Sequence, residues 1–320
     1  MDNDAAKQIN PFANSKSQGL ARRATYASVA VAALLIACKV GAWSYTGSVA
    51  ILASLVDSLL DAFASIVTLV AVRKASAPAT REYRFGLGKA EPLAALTQAA
   101  FIAGSAVLLT LQAGERLVNP QPIQASEIGI AVMLVSIVAT LALVGFQAYV
   151  IRQSSSVAIK ADSLHYKGDL LANAAVIAAL VLTDFLGLPL IDPLFGLAIA
   201  AYILWTARSV AMEALDMLLD RELPQEERDR IRDIALSYPE VLDMHDLRTR
   251  RSGPYRFIQI HLEFNGRLSL NRSHAVAEAV EMQVMEEFPG SEVIAHQDPT
   301  TPEWHEDTDP LPTTHQGRND

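Results

Sequence analysis

Residues 49–73 read VAILASLVDSLLDAFASIVTLVAVR, a run long and apolar enough to cross a hydrocarbon core of about 30 Å as a helix, yet it holds two carboxylates, Asp57 and Asp61. An ionisable group at that depth costs several kcal/mol, so each one marks a functional site by default. Five more runs of similar character surround this one, near residues 25–45, 91–113, 126–151, 162–186 and 194–217. The run near 91–113 and the one near 162–186 begin with charged residues. The pattern predicts an α-helical polytopic membrane domain of six transmembrane helices over residues 25–219.

The 320-residue chain is 51% hydrophobic, and its net charge of −9 is concentrated beyond residue 219. That acidity argues against nucleic acid as a partner, because phosphate binding needs a basic surface. The polar start, MDNDAAKQINPFANSKSQGLARR, is too long before the first apolar run for a signal peptide. Residues 1–24 are expected to be a disordered cytoplasmic tail. Cys38 is the single cysteine, so no intrachain disulfide can form.

Orientation follows from the basic residues of the short connections. Lys7, Lys16, Arg22 and Arg23 precede the first span. Arg73, Lys74, Arg81, Arg84 and Lys89 lie between the second and third, and Arg152, Lys160 and Lys167 between the fourth and fifth. The other connections carry almost none, Arg116 excepted. Both termini are therefore expected in the cytoplasm.

Beyond residue 219 the composition becomes that of a soluble domain, expected over residues 220–299. DRELPQEERDRIRDIALSYPEV opens with Asp220 and Pro224 as a helix start and has acids in its first turn. LDMHDLRTRRSG and PYRFIQIHLEFNG alternate as two strands about Ser252-Gly253. LNRSHAVAEAVEMQVMEEFPG is an amphipathic helix, and SEVIAHQDP a third strand. The order αββαβ implies an α+β sandwich of a small sheet covered by two helices. Residues 300–320, rich in Pro, Thr and charge, are expected to be a disordered acidic tail.

Two constellations carry chemistry. Asp57 and Asp61 stand at i and i+4 and so project from one helix face, extended by Ser54, Ser58 and Ser65. The same spacing recurs in SLHYKGDLLANAA with His165 and Asp169, where Asp162 and Asn173 fall roughly on the same face. Three carboxylates and an imidazole converging from two helices suit tetrahedral Zn²⁺ and, with less preference, other divalent transition metals. Two other readings compete: a pair of acids kept neutral by burial, and a proton relay without metal.

In the soluble part, His245, His261, His274 and His296 are four of the chain's seven histidines, and Asp298 follows His296 at i+2 on one strand face. They form a second candidate metal site, binuclear given five candidates. His305 and His315, in the tail, read as solvated bystanders. GLGK at residues 86–89 lacks the spacing and the preceding strand of a phosphate loop. Lys89, close to Glu91 at the mouth of a span, is expected to form an ion pair there. Lys39 in the first run is expected to snorkel or to pair with a carboxylate of the bundle.

With these residues in view, DSLLD, FGLGKAE, HYKGD, HDLRTR, IQIHLE and HQDP resemble the cation diffusion facilitators, of the bacterial ferrous-iron/zinc efflux pump type, over about residues 25–299. The resemblance implies a homodimer of six-span protomers in the bacterial inner membrane, each with a cytoplasmic metallochaperone-like, ferredoxin-like metal-binding domain. It also implies export of a divalent cation driven by inward proton flow. By position it implies that Asp57, Asp61, His165 and Asp169 form the transport site. His245, His261, His274, His296 and Asp298 match a binuclear cytoplasmic site bridging two protomers, and Lys89 and Asp220 a charge interlock that holds the dimer together. One departure stands out. Where relatives of this type often carry a further site of an Asp and two His, this chain has Thr80, Tyr83 and Leu87, so that site is expected to be missing.

The function expected is a metal/proton antiporter working by alternating access on Zn²⁺, with Fe²⁺, Cd²⁺ and Mn²⁺ as further candidates. Metal binding requires deprotonated ligands, so protons supplied from outside would displace the ion. A membrane-embedded metal sensor without transport is the alternative. A metal-dependent intramembrane hydrolase would need a general base beside an open coordination position, such as HExxH, which is absent. The chain is therefore not expected to be an enzyme.

Overall fold

The structure is a computed structural model and describes residues 15–119, 127–186 and 191–300. Among these residues the chain forms eight helices and three strands: α1 (Ser15–Thr46), α2 (Val49–Ala75), α3 (Ala90–Val118), α4 (Glu127–Ser154), α5 (Val157–Leu186), α6 (Ile191–Leu218), α7 (Gln225–Leu236), β1 (Val241–Ser252), β2 (Tyr255–Asn265), α8 (Leu270–Glu287) and β3 (Ser291–Thr300). By length and apolar composition five of α1 to α6 qualify as membrane spans among the described residues, and α5 is of similar length at 30 residues. Together α1–α6 form the helical transmembrane domain.

Among the described residues two compact units are present, one running up to Arg221 and joined by Arg250–Arg256, the other made of Glu222–Thr249 and the residues from Phe257 onward. In the first, small side chains let helices approach closely, as membrane packing requires. Ala95, Ala99, Ile102 and Ala106 of α3 pack with Val157, Ala161 and Leu164 of α5 and Ile203, Ala207, Val210 and Ala214 of α6. Large apolar side chains such as Leu59, Leu60, Phe63, Leu111 and Trp205 point outward. That distribution suits lipid as the surrounding solvent.

One expectation needs correction. Residues 15–24 are not an unstructured tail but the first turns of α1. Ala21 and Ala24 are buried against Val72 of α2, Val150 of α4 and Ala158 and Ile159 of α5, and the Gln18 amide donates to the Tyr255 hydroxyl. Tertiary contact through small side chains holds these turns, and hydropathy alone does not register it. Residues 1–14 and 301–320, with His305 and His315, lie outside the described residues.

The second unit is built as the alternation predicts. Ile258, Ile260, Leu262 and Phe264 of β2 point to one face and meet Ile231, Ile234 and Ala235 of α7 and Val276, Val280 and Val284 of α8. Each such large side chain, fully buried, contributes about 1.5–3 kcal/mol. The sheet order is β1-β2-β3. On β1 the inward positions, Met244 and Leu247, are three apart rather than two, and Asp246 between them has a left-handed φ of 45°. This irregularity sends both His245 and Asp246 to the face that carries no helix of the unit.

Candidate metal centres

On α2 the i, i+4 spacing places Asp57 and Asp61 on the face that also buries Ser58 and Ser65. Across from it, α5 presents His165 and Asp169. The His165 Nε2 lies 2.7 Å from Asp61 Oδ1 and 3.7 Å from Asp169 Oδ2. Ligand atoms of Asp61, His165 and Asp169 all fall within 4.8 Å of one another. Asp57 lines the same cavity, of about 180 Å³, with Asp61 and Asp169 but stands outside that close trio. Asn173 also lines it. One nitrogen and two or three carboxylate oxygens around a small polar cavity form a donor set fit for Zn²⁺ and its divalent neighbours.

Asp162 does not join this group. Its side chain is 1% exposed and accepts hydrogen bonds from Ser28 (2.6 Å), Gln147 (2.7 Å) and Ser65 (3.1 Å). The Tyr166 hydroxyl adds a bond to the Ser28 carbonyl and shares one with Ser65. Asp162 thus ties α1, α2, α4 and α5 together beside the cavity. An i, i+3 offset from His165 is enough to turn it toward a different set of helices. Lys39 departs from expectation too. Its ammonium neither snorkels nor forms an ion pair but donates to the Ser58 hydroxyl at 2.6 Å and the Ser54 carbonyl at 3.0 Å.

The second cluster lies on the helix-free face of the small sheet. Asp298 is its centre: Oδ2 is 2.8 Å from His261 Nδ1 and 3.3 Å from His245 Nε2, while Oδ1 is 3.2 Å from His296 Nε2. The His245–His261 and His261–His296 ring centroids are 5.2 and 4.8 Å apart. A carboxylate with one oxygen toward two imidazoles and the other toward a third is suited to bridging two cations. His274 is not brought to this group within one chain, since it sits exposed on α8, on the other layer.

Sequence reasoning passed over two acids. Glu263 Oε1 lies 3.3 Å from His245 Nδ1, and Asp246 Oδ2 lies 3.8 Å from His261 Nε2. Glu263 was available from strand alternation, being two residues beyond His261. Asp246 faces the cluster only because of the irregularity in β1.

At the base of α3, Lys89 Nζ lies 2.9 Å from Asp220 Oδ1 and donates to the Leu218 carbonyl at 3.3 Å. Glu91 is not its partner: that carboxylate is buried and accepts from Ser156 at 2.7 Å. Asp220 is held in the left-handed region, with φ 58°, just past the end of α6. Arg250 Nη1 approaches the same oxygen at 3.4 Å, and its guanidinium lies 5.4 Å from the Phe85 ring centroid. Beside it, backbone meets backbone. A Cβ on Gly88 would come within 2.1 Å of the Ser252 carbonyl, and one on Gly253, where φ is 59°, within 2.5 Å of the Gly88 carbonyl. In the preceding loop, the Thr80 hydroxyl accepts from the Tyr83 N–H at 3.1 Å.

Partial burial pushes the Asp220 carboxyl up, but the hydrogen bond and charge of Lys89, with Arg250 behind them, outweigh it and hold it below the usual carboxylate range. A carboxyl depressed in the folded state stabilises above its unfolded pKa, and that contribution is lost as pH falls through the folded value. Asp220→Asn keeps the left-handed turn, which Asn tolerates. In thermal melts of solubilised protein, the wild type should therefore exceed Asp220→Asn by the same margin at pH 7 and pH 5, and the margin should vanish well below pH 4. Half-exposed as both partners are, its size should stay below about 1 kcal/mol. A margin that widens on acidification would contradict the assignment.

Comparison with known proteins places this geometry in context. Residues 25–219 match the family model described as the cation efflux transmembrane domain, and residues 223–300 the one described as the cation efflux protein, cytoplasmic domain. The cation-efflux pump FieF of Klebsiella pneumoniae is 49% identical over 282 residues, covering 88% of this chain and 94% of that protein. FieF of Citrobacter koseri is 50% identical over 280 residues, covering 88% and 93%. A solved chain of CzrB is 33% identical and covers 25% of this chain and 99% of its own length, with a TM-score of 0.24.

Proposed function

The chain belongs to the cation diffusion facilitator family of cation efflux transporters, and from that premise we propose that it exports Zn²⁺ from the cytoplasm in exchange for protons, with Fe²⁺ and Cd²⁺ as further substrates. It is a multi-pass inner-membrane transporter and not an enzyme. The observation that carries the proposal is the convergence of Asp61, His165 and Asp169, with Asp57 lining the same cavity, inside helices of membrane-spanning length. Zn²⁺ stands first because the trio combines an imidazole with carboxylates. Raw affinity alone would not separate the first-row divalent ions.

In this reading the four side chains bind the ion when the cavity faces the cytoplasm. When it faces outward, protons compete for the same lone pairs and release it, since ligands must be deprotonated to hold metal. Both termini lie in the cytoplasm, in keeping with the basic connections. Two protomers assemble as a homodimer, consistent with the matched cytoplasmic domain. His245, His261, His296 and Asp298 form the cytoplasmic metal cluster, and only a second copy could bring His274 to it. Lys89 and Asp220 form the interlock that steadies this arrangement.

The test is uptake of Zn²⁺ into proteoliposomes under an imposed pH gradient, with Cd²⁺, Fe²⁺ and Mn²⁺ as competitors. An acidic lumen should accelerate uptake, and Asp57→Ala should reduce it about tenfold or more. Zn²⁺ uptake no faster than in protein-free liposomes, with Asp57-dependent Zn²⁺ binding retained, would favour the sensor reading, in which the site binds metal and moves none.

A further inference from the structure

A lysine stands in the cavity that the carboxylates line. Lys39 of α1 lines the cavity together with Asp57, Asp61 and Asp169. Both of its hydrogen bonds, however, go to neutral oxygens of α2, the Ser54 carbonyl and the Ser58 hydroxyl. Ser54 and Ser58 stand at i and i+4 on α2 and clamp the ammonium beside the carboxylates without letting it neutralise any one of them by contact. A lysine whose role was only to reach water would extend toward a membrane surface. This one is half-buried and turned inward.

Charge counting gives it a purpose. Metal binding takes the carboxylates ionised and the imidazole neutral. Three carboxylates, one ammonium and one divalent ion then sum to zero. A monovalent ion would leave the pocket negative and a trivalent ion positive, and net charge is costly at that depth. Without the ammonium, a divalent ion would sit in a pocket with one negative charge to spare and would be held more tightly. A transporter needs an ion that leaves as well as enters.

We propose that Lys39, clamped by Ser54 and Ser58, is a tethered counter-cation of the metal pocket: a specificity-determining residue that makes the pocket neutral when a divalent ion is bound and keeps that ion releasable. The proposal rests on the reading of the cavity as the transport site.

The test uses the full chain in an Asp298→Ala background, in which residual binding at the cytoplasmic cluster is weakened about 100-fold, so that the tightest Cd²⁺ binding reports the membrane pocket. Lys39→Met should lower the Kd for Cd²⁺ about tenfold or more, because a fixed like charge has been removed. In proteoliposomes the same substitution should lower KM and cut the maximal rate several-fold, since release becomes slow. Lys39→Arg should behave as wild type in both assays. Tighter binding with slower turnover is not what a merely destabilised bundle would give, and Lys39→Gln should reproduce it if Lys39→Met fails to fold. Unchanged or weaker Cd²⁺ binding in both neutral variants overturns the proposal, as does Lys39→Arg matching Lys39→Met. Asp169→Ala separates the two levels: if Cd²⁺ binding survives it undiminished, the transport-site reading itself fails, whatever Lys39 does.

Discussion

Replacing His165 with alanine should lower Zn²⁺ uptake by proteoliposomes at least ~100-fold and leave a protein that still folds. The estimate is a lower bound, because losing even an outer partner of a metal ligand costs about 10- to 100-fold in affinity. Among the described residues His165 supplies the only nitrogen of the close candidate trio and sits against both acids, 2.7 Å from Asp61 and 3.7 Å from Asp169. Its removal turns a mixed nitrogen–oxygen site into one of carboxylates alone. Oxygen-only sites favour Mg²⁺, Ca²⁺ and Mn²⁺, so the residual uptake should shift toward Mn²⁺. The fold should survive because the helix packing nearby is carried by other groups. Asp162 binds Ser28, Ser65 and Gln147, and Ala161 and Leu164 pack against α3 and α6. Melting curves and elution volume of the purified variant check that half of the claim. Uptake within threefold of wild type would sink the assignment of His165.

The second large effect is expected at Asp298. Alanine there should reduce metal bound at the cytoplasmic cluster from two ions per protomer to one at most, and weaken what remains about 100-fold. The reason is that its two oxygens between them face His245, His261 and His296. Among the described residues no other carboxylate meets all three rings; Glu263 reaches His245 and Asp246 reaches His261. Elemental analysis of the full chain, with Asp169→Ala also present so that the membrane site is silent, reads the stoichiometry. Retention of two ions would mean that Asp298 is a bystander. Transport at saturating metal then sorts the role of the cluster. A regulatory site should leave the maximal rate within a few-fold and raise the metal concentration needed, whereas a structural clip should lower protein stability at every concentration.

Among the described residues, five of the membrane helices are legible because each carries an apolar run of sufficient length, and α2 and α5 stand out because their candidate ligands repeat at i, i+4. Of the five soluble ligand candidates, His296 and Asp298 follow from strand alternation, and His245 and His261 from the density of histidines on neighbouring strands. His274 stands apart, because α8 carries it on a different layer from the strands that hold the other four. The start of α1 was hidden, since Ala21 and Ala24 owe their burial to helices far along the chain. Asp162 shows the same limit. Three residues from His165, it shares a helix face only approximately, and its partners on α1, α2 and α4 decide where it points. Lys39 stands out as a charge in an apolar run, but its partners, a carbonyl and a hydroxyl, leave no charge pattern to read.

The contact of Gly88 with Gly253 bears on how such chains can be recombined. Residues 250–256, at the tip of the β1–β2 hairpin, group with the membrane unit although the chain has already left it at residue 221. A hybrid joined near residue 220 would therefore take its GLGK loop from one parent and residues 250–256, which contact it, from the other. A side chain at either glycine would place its Cβ 2.1 or 2.5 Å from a carbonyl oxygen, and the graft would be rejected there rather than at the seam. In this molecule the natural unit of exchange is two separate stretches, inherited together.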